Sequence, residues 1–500
     1  MSTVVVTFTP VTPPGRKRKR DDSKSADDGS DDDAKKPKPS TTSAMVPTPI
    51  VPFIPNNPPT QILDVIVFGE GAGGEMGLGS KVVNGLSPIE VMSPRMNRLL
   101  SGNDVGVVQI ACGTMHGIAI TRDNQILTWG VNNFGALGRD TNDYEDEDDV
   151  LNPSESTPAP IDTSNLDPNI KWFQVVGTER ASFALTTDGR VFGWGTFRGK
   201  KGVIGFTHHP EDPDVQTKPR HIPELKHIKQ LAAGKNHVLA YDESGQLYSW
   251  GCGEQGQLGR AYDPQNPRMG LKPEKVPGLE GHIYKVGCGS YHSFALTIDT
   301  KLRKNPTKYN PATTYVEYTT FAWGLNNFGQ LGNPDAVAGA GAIQPTPIYA
   351  KGLKSYAIFD ITGGDHYSLA KTFEGKVLTW GRVDNARTGL AATTFTKMNS
   401  IFEDGKPRIL AIPTIISKLP FILSITSGPK HSFAVAVRGS NIYSWGSSYK
   451  GCTGHNTEDD TEIPRLIKYV TMHRKKVVFV GAGGTFSMLA VVAKRQGKSN

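Results

Sequence analysis

Two hydrophobic patterns alternate along most of this chain. The first runs apolar-apolar-x-Gly-x-x-His and continues small-aromatic-Ala-apolar. It occurs in CGTMHGIAI (112–120), AAGKNHVLA (232–240), GCGSYHSFAL (287–296), TGGDHYSLA (362–370) and TSGPKHSFAV (426–435). The same frame fits GTERASFAL, with Ala181 in the histidine slot, and AGGTFSMLA, with Phe486 there. The slot therefore occurs seven times, at positions 116, 181, 237, 292, 366, 431 and 486.

The second pattern is an aromatic residue and a glycine, followed by Gly-x-Leu-Gly. Its copies are WGVNNFGALG from Trp129, WGTFRGKKGVIG from Trp194, WGCGEQGQLG from Trp250, WGLNNFGQLG from Trp323, WGRVDNARTGL from Trp380 and WGSSYKGCTG from Trp445. FGEGAGGEMGLG from Phe68 is the seventh copy. The recurring aromatic residue is best explained as core between repeats, and the glycines as positions of positive φ or close backbone approach.

The length of the repeat predicts the fold class. Neighbouring histidine slots are between 55 residues (237 to 292) and 74 residues (292 to 366) apart. Turn pairs such as Asp188-Gly189 and Ser244-Gly245 separate short apolar or alternating runs, and segments such as KPRHI and KPEKV are typical of edge strands entered through proline. Four strands per repeat are the blade of a propeller. We therefore expect an all-β, seven-bladed β-propeller over residues 62–492.

The two ends of the patterned region predict how the ring closes. The chain opens with the second pattern and ends with the first, so neither end forms a blade alone. If residues 64–79 pair with residues 477–492, both patterns occur seven times and no sheet edge stays open. We expect the N- and C-terminal strands to share one blade.

Residues 1–60 differ from the rest in composition, being rich in Pro, Ser, Thr, Lys and Asp, and this predicts a disordered tail. Two basic clusters, 14 residues apart, are typical of a bipartite nuclear-import signal read by importin: Arg16, Lys17, Arg18, Lys19, Arg20 and then Lys35, Lys36, Lys38. A solvated charged tail with no reader is the alternative. Contact with DNA is a further possibility, but nine basic and seven acidic residues leave a charge of only 9 − 7 = +2. Residues 493–500 form a short basic tail.

Composition and motifs exclude several classes of protein. The chain has 55 Gly and 35 Pro, a net charge of +7, and four scattered Cys without a C-x-x-C pair. No apolar run approaches the roughly 20 residues that span a membrane, so we expect a soluble, intracellular protein without a membrane partner. No G-x-x-x-x-G-K-S/T, H-E-x-x-H or G-x-S-x-G motif is present. We expect no catalytic residues, no metal and no cofactor, and we expect the repeated histidines to make internal hydrogen bonds.

Departures from the repeat indicate where a site could lie. The linker TFRGKKGVIG after Trp194 predicts a hairpin whose basic tip contains Arg198, Lys200 and Lys201. Glu179 stands where neighbouring repeats have Thr114, Lys235 or Ser290, in the loop that leads to the histidine slot.

These patterns, in this number and order, resemble the regulator of chromosome condensation family over residues 62–492. GALGRDT (135–141), WGTFRGKKGVIG and LYSWGCGEQGQLGR (247–260) are similar to the branch of that family that exchanges guanine nucleotide on the nuclear GTPase Ran. The resemblance implies a protein that breaks no covalent bond. It would bind nucleotide-free Ran far better than the nucleotide-bound form, and so would weaken nucleotide affinity by the same factor.

The resemblance also implies particular site residues. It implies a wedge that presses against the GTPase's phosphate-binding region. The wedge residues are Phe197, Arg198, Gly199, Lys200, Lys201, Gly202, Val203 and Ile204. It assigns GTPase-binding loop positions to Glu179, Asn236, His366 and Phe486. Three of these depart from the family: Glu179 and Asn236 replace aspartates, and Phe486 replaces a histidine.

The family further resembles a chromatin reader, which implies core histones or the nucleosome as partners and a nuclear, chromatin-associated location. Arg268, in the loop AYDPQNPRMG, stands roughly where the family has a histone-binding arginine. The competing hypothesis is a propeller that scaffolds protein contacts without exchange activity. A propeller enzyme would need carboxylates or metal ligands at the channel mouth, and none is apparent.

Overall fold

A computed structural model describes residues 55–142, 150–302, 314–336, 339, 342–437, 441–468 and 475–493. The first sixteen strands, numbered along the chain, are β1 (Leu63–Glu70), β2 (Glu90–Asn97), β3 (Val107–Cys112), β4 (His116–Thr121), β5 (Ile126–Gly130), β6 (Ala159–Pro160), β7 (Trp172–Gly177), β8 (Ala181–Thr186), β9 (Val191–Gly195), β10 (Phe197–Gly199), β11 (Gly202–Gly205), β12 (Gln216–His221), β13 (Ile228–Ala233), β14 (His237–Asp242), β15 (Leu247–Gly251) and β16 (Glu274–Lys275).

The remaining strands are β17 (His282–Cys288), β18 (His292–Leu302), β19 (Thr314–Leu325), β20 (Ile343–Tyr349), β21 (Ile358–Gly363), β22 (Tyr367–Thr372), β23 (Val377–Arg382), β24 (Ser400–Glu403), β25 (Lys406–Ile415), β26 (Ile422–Ser427), β27 (His431–Ala436), β28 (Ile442–Gly446), β29 (Thr461–Leu466), β30 (Val477–Ala482) and β31 (Phe486–Val492). One α-helical turn, α1 (Pro153–Ser156), and short 3-10 segments lie in the loops; the 3-10 segments are Pro267–Leu271, Pro334–Ala336, Lys351–Leu353, Ala392–Thr394 and Tyr449–Gly451.

Seven antiparallel sheets form the blades of a propeller, which confirms the predicted fold class. In hydrogen-bonding order they are blade 1 (β3-β4-β5-β6), blade 2 (β7-β8-β9-β12), blade 3 (β13-β14-β15-β16), blade 4 (β17-β18-β19-β20), blade 5 (β21-β22-β23-β25-β24), blade 6 (β26-β27-β28-β29) and blade 7 (β30-β31-β1-β2). An additional two-stranded sheet, β10-β11, projects from blade 2.

Blade 7 joins the two ends of the described chain, as the patterns predicted. Strand β1 pairs with β31, with Phe68 opposite Ser487 and Gly69 opposite Phe486. Residues from both ends, including Phe68 and Met488, share one buried hydrophobic cluster. The Lys475 ammonium also lies 3.0 Å from the Asp64 carboxylate. Closure therefore leaves neither terminal strand with a bare edge or a bare apolar face.

The first strands of neighbouring blades pack against one another around the axis. The three-residue loops that follow these strands surround a small central opening, which all seven blades line. We call this end of the ring the front face; its loops are 113–115, 178–180, 234–236, 289–291, 364–366, 428–430 and 483–485. We call the opposite end, where the first strands begin, the back face.

The described chain starts on the back face with residues that the composition assigned to the tail. Asn56 is buried, its backbone N–H donates to the Thr187 carbonyl (2.8 Å), and its side-chain amide donates to the Ile228 carbonyl (3.1 Å). The packed chain therefore begins before residue 60, and the predicted tail is too long by about its last six residues. The rest of the tail, including both import clusters, lies outside the described residues, as does 494–500.

Candidate functional site

The repeated histidines connect neighbouring blades through hydrogen bonds. At the joint between blades 3 and 4, the Ser293 hydroxyl donates to the Gln257 carbonyl (2.8 Å) and lies 2.8 Å from Nε2 of His237. Because the hydroxyl gives its one proton to the Gln257 carbonyl, His237 must donate from Nε2–H. Burial lowers the pKa of His237 to about 3, so its ring is neutral at pH 7. The prediction of internal hydrogen bonds is thus confirmed for the slot histidines His116, His237, His292 and His431.

The fifth copy of the slot corrects the sequence alignment. Tyr367 lies at the start of β22, and its hydroxyl lies 2.8 Å from the Ser432 hydroxyl, the bond that a slot histidine makes elsewhere. Gly364, whose N–H donates to the Tyr367 carbonyl, corresponds to Gly113 in blade 1. The slot is therefore occupied by Tyr367, and His366 lies one position earlier, in the front-face loop.

The joint between blades 2 and 3 has none of these bonds. Ala181 occupies the slot, Val238 occupies the serine position, and the indole N–H of Trp250 is buried with no hydrogen-bond partner among the described residues. Aromatic packing fills the joint: the Phe183 ring lies 5.5 Å from Trp250 and 5.9 Å from Phe197. Apolar burial replaces the hydrogen-bonded connection at this boundary.

Phe197 is the first residue of the predicted hairpin, which the structure confirms as β10 and β11. We call residues 197–205 the basic hairpin. Its root is fixed because Phe197 is fully buried, whereas Arg198, Lys200 and Lys201 are exposed. Arg198 pairs with Val203, whose side chain is 43% exposed. The hairpin therefore carries positive charge and one apolar side chain to its exposed end.

Glu179 and Asn236, which the resemblance assigned to the site, lie together beside the basic hairpin on the front face. The Asn236 amide donates to the Glu179 carboxylate (3.1 Å), and its oxygen accepts from the backbone N–H of Arg198 (3.4 Å). The same carboxylate lies 3.6 Å from the Lys235 ammonium and 3.9 Å from the Arg180 guanidinium. Asn236 thus connects a charged cluster to the hairpin's first strand.

His366 lies further round the front face, on blade 5. Its ring stacks on Tyr291 of blade 4 (5.9 Å between centroids, 25° between planes) and lies 5.1 Å from Phe328. Burial lowers the pKa of His366 to about 4, so the imidazole is neutral at pH 7 and can accept a hydrogen bond from a partner. His366 therefore shares a face with the hairpin without touching it.

Two predicted site residues, Phe486 and Arg268, have side chains that are largely enclosed by the protein itself. Phe486 fills the slot of blade 7 with its side chain fully buried, so Thr485 occupies its front-face position. Arg268 donates from Nε to the Thr207 and His209 carbonyls, from Nη2 to the Asp212 carbonyl, and from Nη1 to Asp214 (2.7 Å). Its side chain is 18% exposed, and these bonds hold the loop that follows the basic hairpin. Arg268 thus has an internal role in this loop, and its contact with histones stays a prediction.

Sequence analysis missed several front-face side chains around the hairpin. Arg180 stacks its guanidinium on the Phe134 ring at 4.0 Å, and Lys235 lies 5.7 Å from the Tyr291 ring. Glu254 contacts the hairpin tip directly. The signal that could have revealed Arg180 and Tyr291 is their position immediately before the histidine slot, which Asn236 and His366 share.

The described residues contain no group of three or more His, Cys, Asp or Glu that could hold a metal ion. Among the same residues, no helix is long and apolar enough to cross a membrane.

Comparison with known proteins gives a consistent assignment. The model of the RCC1-like domain matches residues 64–489. Protein pim1 of Schizosaccharomyces pombe is 36% identical over 86% of this chain and 75% of its own, and guanine nucleotide exchange factor SRM1 of Saccharomyces cerevisiae is 34% identical over 86% and 87%.

Two solved structures of the Saccharomyces cerevisiae protein Prp20 have the same architecture. One, described with its binding to Gsp1p and histones, has a TM-score of 0.76 and 33% identity over 89% of this chain and 94% of its own. The other, bound to Kap60, has a TM-score of 0.77 and 32% identity over 92% and 97%. The family match, together with the seven blades and their shared terminal blade, leads to one conclusion: the chain belongs to the RCC1-like domain family.

Proposed function

We propose that this protein is a guanine-nucleotide exchange factor for a Ran-type nuclear GTPase, and that its basic hairpin acts as the wedge. The observation that carries the proposal is the hairpin's placement, with a buried root and an exposed basic tip beside Glu179 and Asn236 on the front face. The relatives support it, since SRM1 is named an exchange factor and Prp20 is described with Gsp1p.

The proposed mechanism is differential binding. A protein that holds the nucleotide-free GTPase more tightly than the nucleotide-bound form lowers nucleotide affinity by the same factor. GTPases hold nucleotide through backbone N–H groups of the phosphate-binding loop, a lysine and a magnesium ion. A hairpin that displaces these groups removes their charge and oriented dipoles from the phosphates, and no covalent step is needed.

Other front-face residues would hold the GTPase while the hairpin acts. Glu179 supplies negative charge and neutral His366 supplies an acceptor on another part of the ring. Contacts that are widely spaced fix orientation, which a wedge needs if its tip is to meet one loop of the partner.

A nucleotide-release assay tests the proposal. Purified protein should accelerate release of a fluorescent guanine nucleotide from Ran, and replacing residues 198–201 with a Gly-Ser turn should abolish that acceleration. The control removes the same three charges from the back face as Lys226→Ala, Lys418→Ala and Lys476→Ala, which should leave release near the wild-type rate. No acceleration by the intact protein would favour the alternative, a propeller scaffold without exchange activity.

We also propose a nuclear, chromatin-associated location, with core histones and an importin as partners. Prp20 is described with histones and bound to Kap60, and this chain has two basic clusters before its propeller. Alanine at Arg16–Arg20 together with Lys35, Lys36 and Lys38 should prevent importin binding without affecting nucleotide release. Histone contact by Arg268 stays a prediction, and it would require the guanidinium to leave its bonds within the loop. Contact between the tail and DNA stays a prediction, to be tested by the salt dependence of DNA binding.

A further inference from the structure

We infer that Glu254 is a positioning residue that aims the tip of the basic hairpin. The inference rests on the proposed function, because it concerns how the wedge is held. Glu254 lies in the blade 3 loop after β15, and both its carboxylate oxygens accept from the backbone N–H of Lys200, at 3.1 Å and 2.9 Å. This brace connects the hairpin tip, which blade 2 carries, to the neighbouring blade.

The hairpin needs a support of this kind. Its strands have three and four residues, and their register shifts between Phe197 and Arg198. A two-stranded hairpin is marginally stable alone in water. Phe197 holds the root and Asn236 contacts the Arg198 N–H, but at the tip Glu254 supplies the charged acceptor. Hydrogen bonds to an ionised acceptor are stronger than neutral ones.

A groove beside the hairpin gives the tip room to move if the brace is lost. The groove has a volume of about 790 Å³, and its walls include Gly199, Glu254, Tyr262, Ile343 and Pro345. Interior packing therefore does not hold the tip on that side. Loss of the Glu254 carboxylate would let the tip sample positions over the groove, where Lys200 and Lys201 no longer point at a docked GTPase.

Gly199 makes the close approach of Glu254 possible. A Cβ at position 199 would lie 2.7 Å from Oε1 of Glu254, closer than real Cβ contacts. Gly199→Ala should therefore displace the carboxylate and reproduce the effect of losing it.

The experiment compares Glu254→Ala, Glu254→Gln and wild type in multiple-turnover nucleotide release from Ran. Loss of one charge-assisted hydrogen bond corresponds to about a tenfold change. We expect Glu254→Ala to lower kcat about tenfold with a change in KM below about threefold, because the tip acts after docking. Glu254→Gln keeps one carbonyl acceptor and should recover at least about a third of the wild-type kcat. The control Glu243→Ala, on the back face, should be unchanged.

A second measurement needs no GTPase. Hydrogen exchange of the Lys200 amide in the free protein should accelerate about tenfold in Glu254→Ala, in proportion to the lost hydrogen bond. Unchanged amide protection in Glu254→Ala, or an unchanged kcat beside an active wild type, would overturn the inference. An inactive wild type would instead overturn the proposed exchange function. The amide measurement would then still test whether the Glu254 carboxylate holds the Lys200 N–H.

Discussion

Two neighbouring joints of the propeller are held together by different interactions. They are the joint between blades 2 and 3 and the joint between blades 3 and 4. In the second, His237, Ser293 and Trp323 all converge on the Gln257 region through hydrogen bonds. In the first, Ala181 and Val238 occupy the corresponding positions, and aromatic rings fill the space.

The difference coincides with the basic hairpin, which replaces the usual segment of blade 2 at that joint. In blade 3 the Gly-x-Leu-Gly segment supplies the carbonyl that serine and tryptophan both need. In blade 2 the corresponding segment is the basic hairpin, so the carbonyl is absent and Trp250 has no partner among the described residues. Neither histidine nor serine occurs at this joint, where either would be a buried polar group without that carbonyl. A departure at the surface is thus matched by a change of chemistry in the core.

The largest expected effect is that of pH on the hydrogen-bonded joints. Burial lowers the pKa of His116 and His431 to about 4 and of His237 and His292 to about 3, against an ordinary value of 6.5. The unfolded chain then binds more protons below pH 6.5, so stability is full above that pH and falls towards pH 4. Each histidine contributes a slope of about 1.4 kcal/mol per pH unit, and four together approach the roughly 5–15 kcal/mol of a whole domain.

Urea unfolding at pH 7, 6, 5 and 4.5 measures this slope. His237→Gln should be less stable than wild type at pH 7. Its unfolding free energy should also change less steeply with pH, by about 1.4 kcal/mol per pH unit, because one titrating group is gone. An identical slope in His237→Gln and wild type would show that the joint histidines do not control acid stability.

Next in size is the removal of a joint tryptophan. Trp250→Ala and Trp380→Ala should each cost about 3–5 kcal/mol, since both rings are fully buried. Only Trp250→Ala should also slow nucleotide release, because it removes support from Phe183 and the hairpin root. Urea unfolding and the release assay test the pair; equal release by the two variants would contradict the proposed link between joint and hairpin.

A double-mutant cycle tests the hydrogen-bonded joint at smaller scale. His237→Ala and Ser293→Ala should be coupled by about 1–2 kcal/mol, because Ser293→Ala leaves the buried His237 N–H without its acceptor only when His237 is present. As a control, His116→Ala and Ser293→Ala, on blades 1 and 4, should be additive within about 0.5 kcal/mol. Coupling of equal size in both pairs would point to a general effect on folding.

The smallest expected difference separates the two tryptophans by their N–H groups. Trp323 donates to the Gln257 carbonyl at 2.9 Å, whereas the Trp250 N–H has no acceptor within the described part of the chain. Changing each to phenylalanine removes similar ring volume, so Trp323→Phe should cost about 1 kcal/mol more than Trp250→Phe. The gap is small because the Ser293 hydroxyl still bonds that carbonyl. Equal costs would mean that Trp250 also has a bonded N–H.

The fold was predictable because its signal repeats. Seven copies of two patterns predicted seven blades, and the incomplete patterns at the ends predicted the pairing of β1 with β31. The alignment failed at blade 5, where Gly363 and His366 fit Gly-x-x-His but the structure uses Gly364 and the slot residue Tyr367. No local pattern indicated that a tyrosine hydroxyl reaches Ser432 as a histidine would.

The candidate site was less predictable because its residues depend on contacts between repeats. The hairpin was visible as a break in the pattern, and Glu179 as an unusual residue within it. The burial of Phe486 and the four internal bonds of Arg268 depend on neighbouring chain segments that no local pattern describes. Glu254 was missed for the same reason, since its loop matches the repeat and its partner lies on another blade.

The pairing of β1 with β31 has a consequence for biosynthesis. The apolar face of β1 emerges from the ribosome before the strands of the other six blades, whereas its partner strand β31 is translated after all of them. Six blades can form before β1 has a partner strand. The Ala493 N–H can donate to the Ile62 carbonyl (3.1 Å) only when translation has passed residue 493. A chain truncated before β31 would keep an open ring with unpaired strand edges, which chaperones and proteases could recognise.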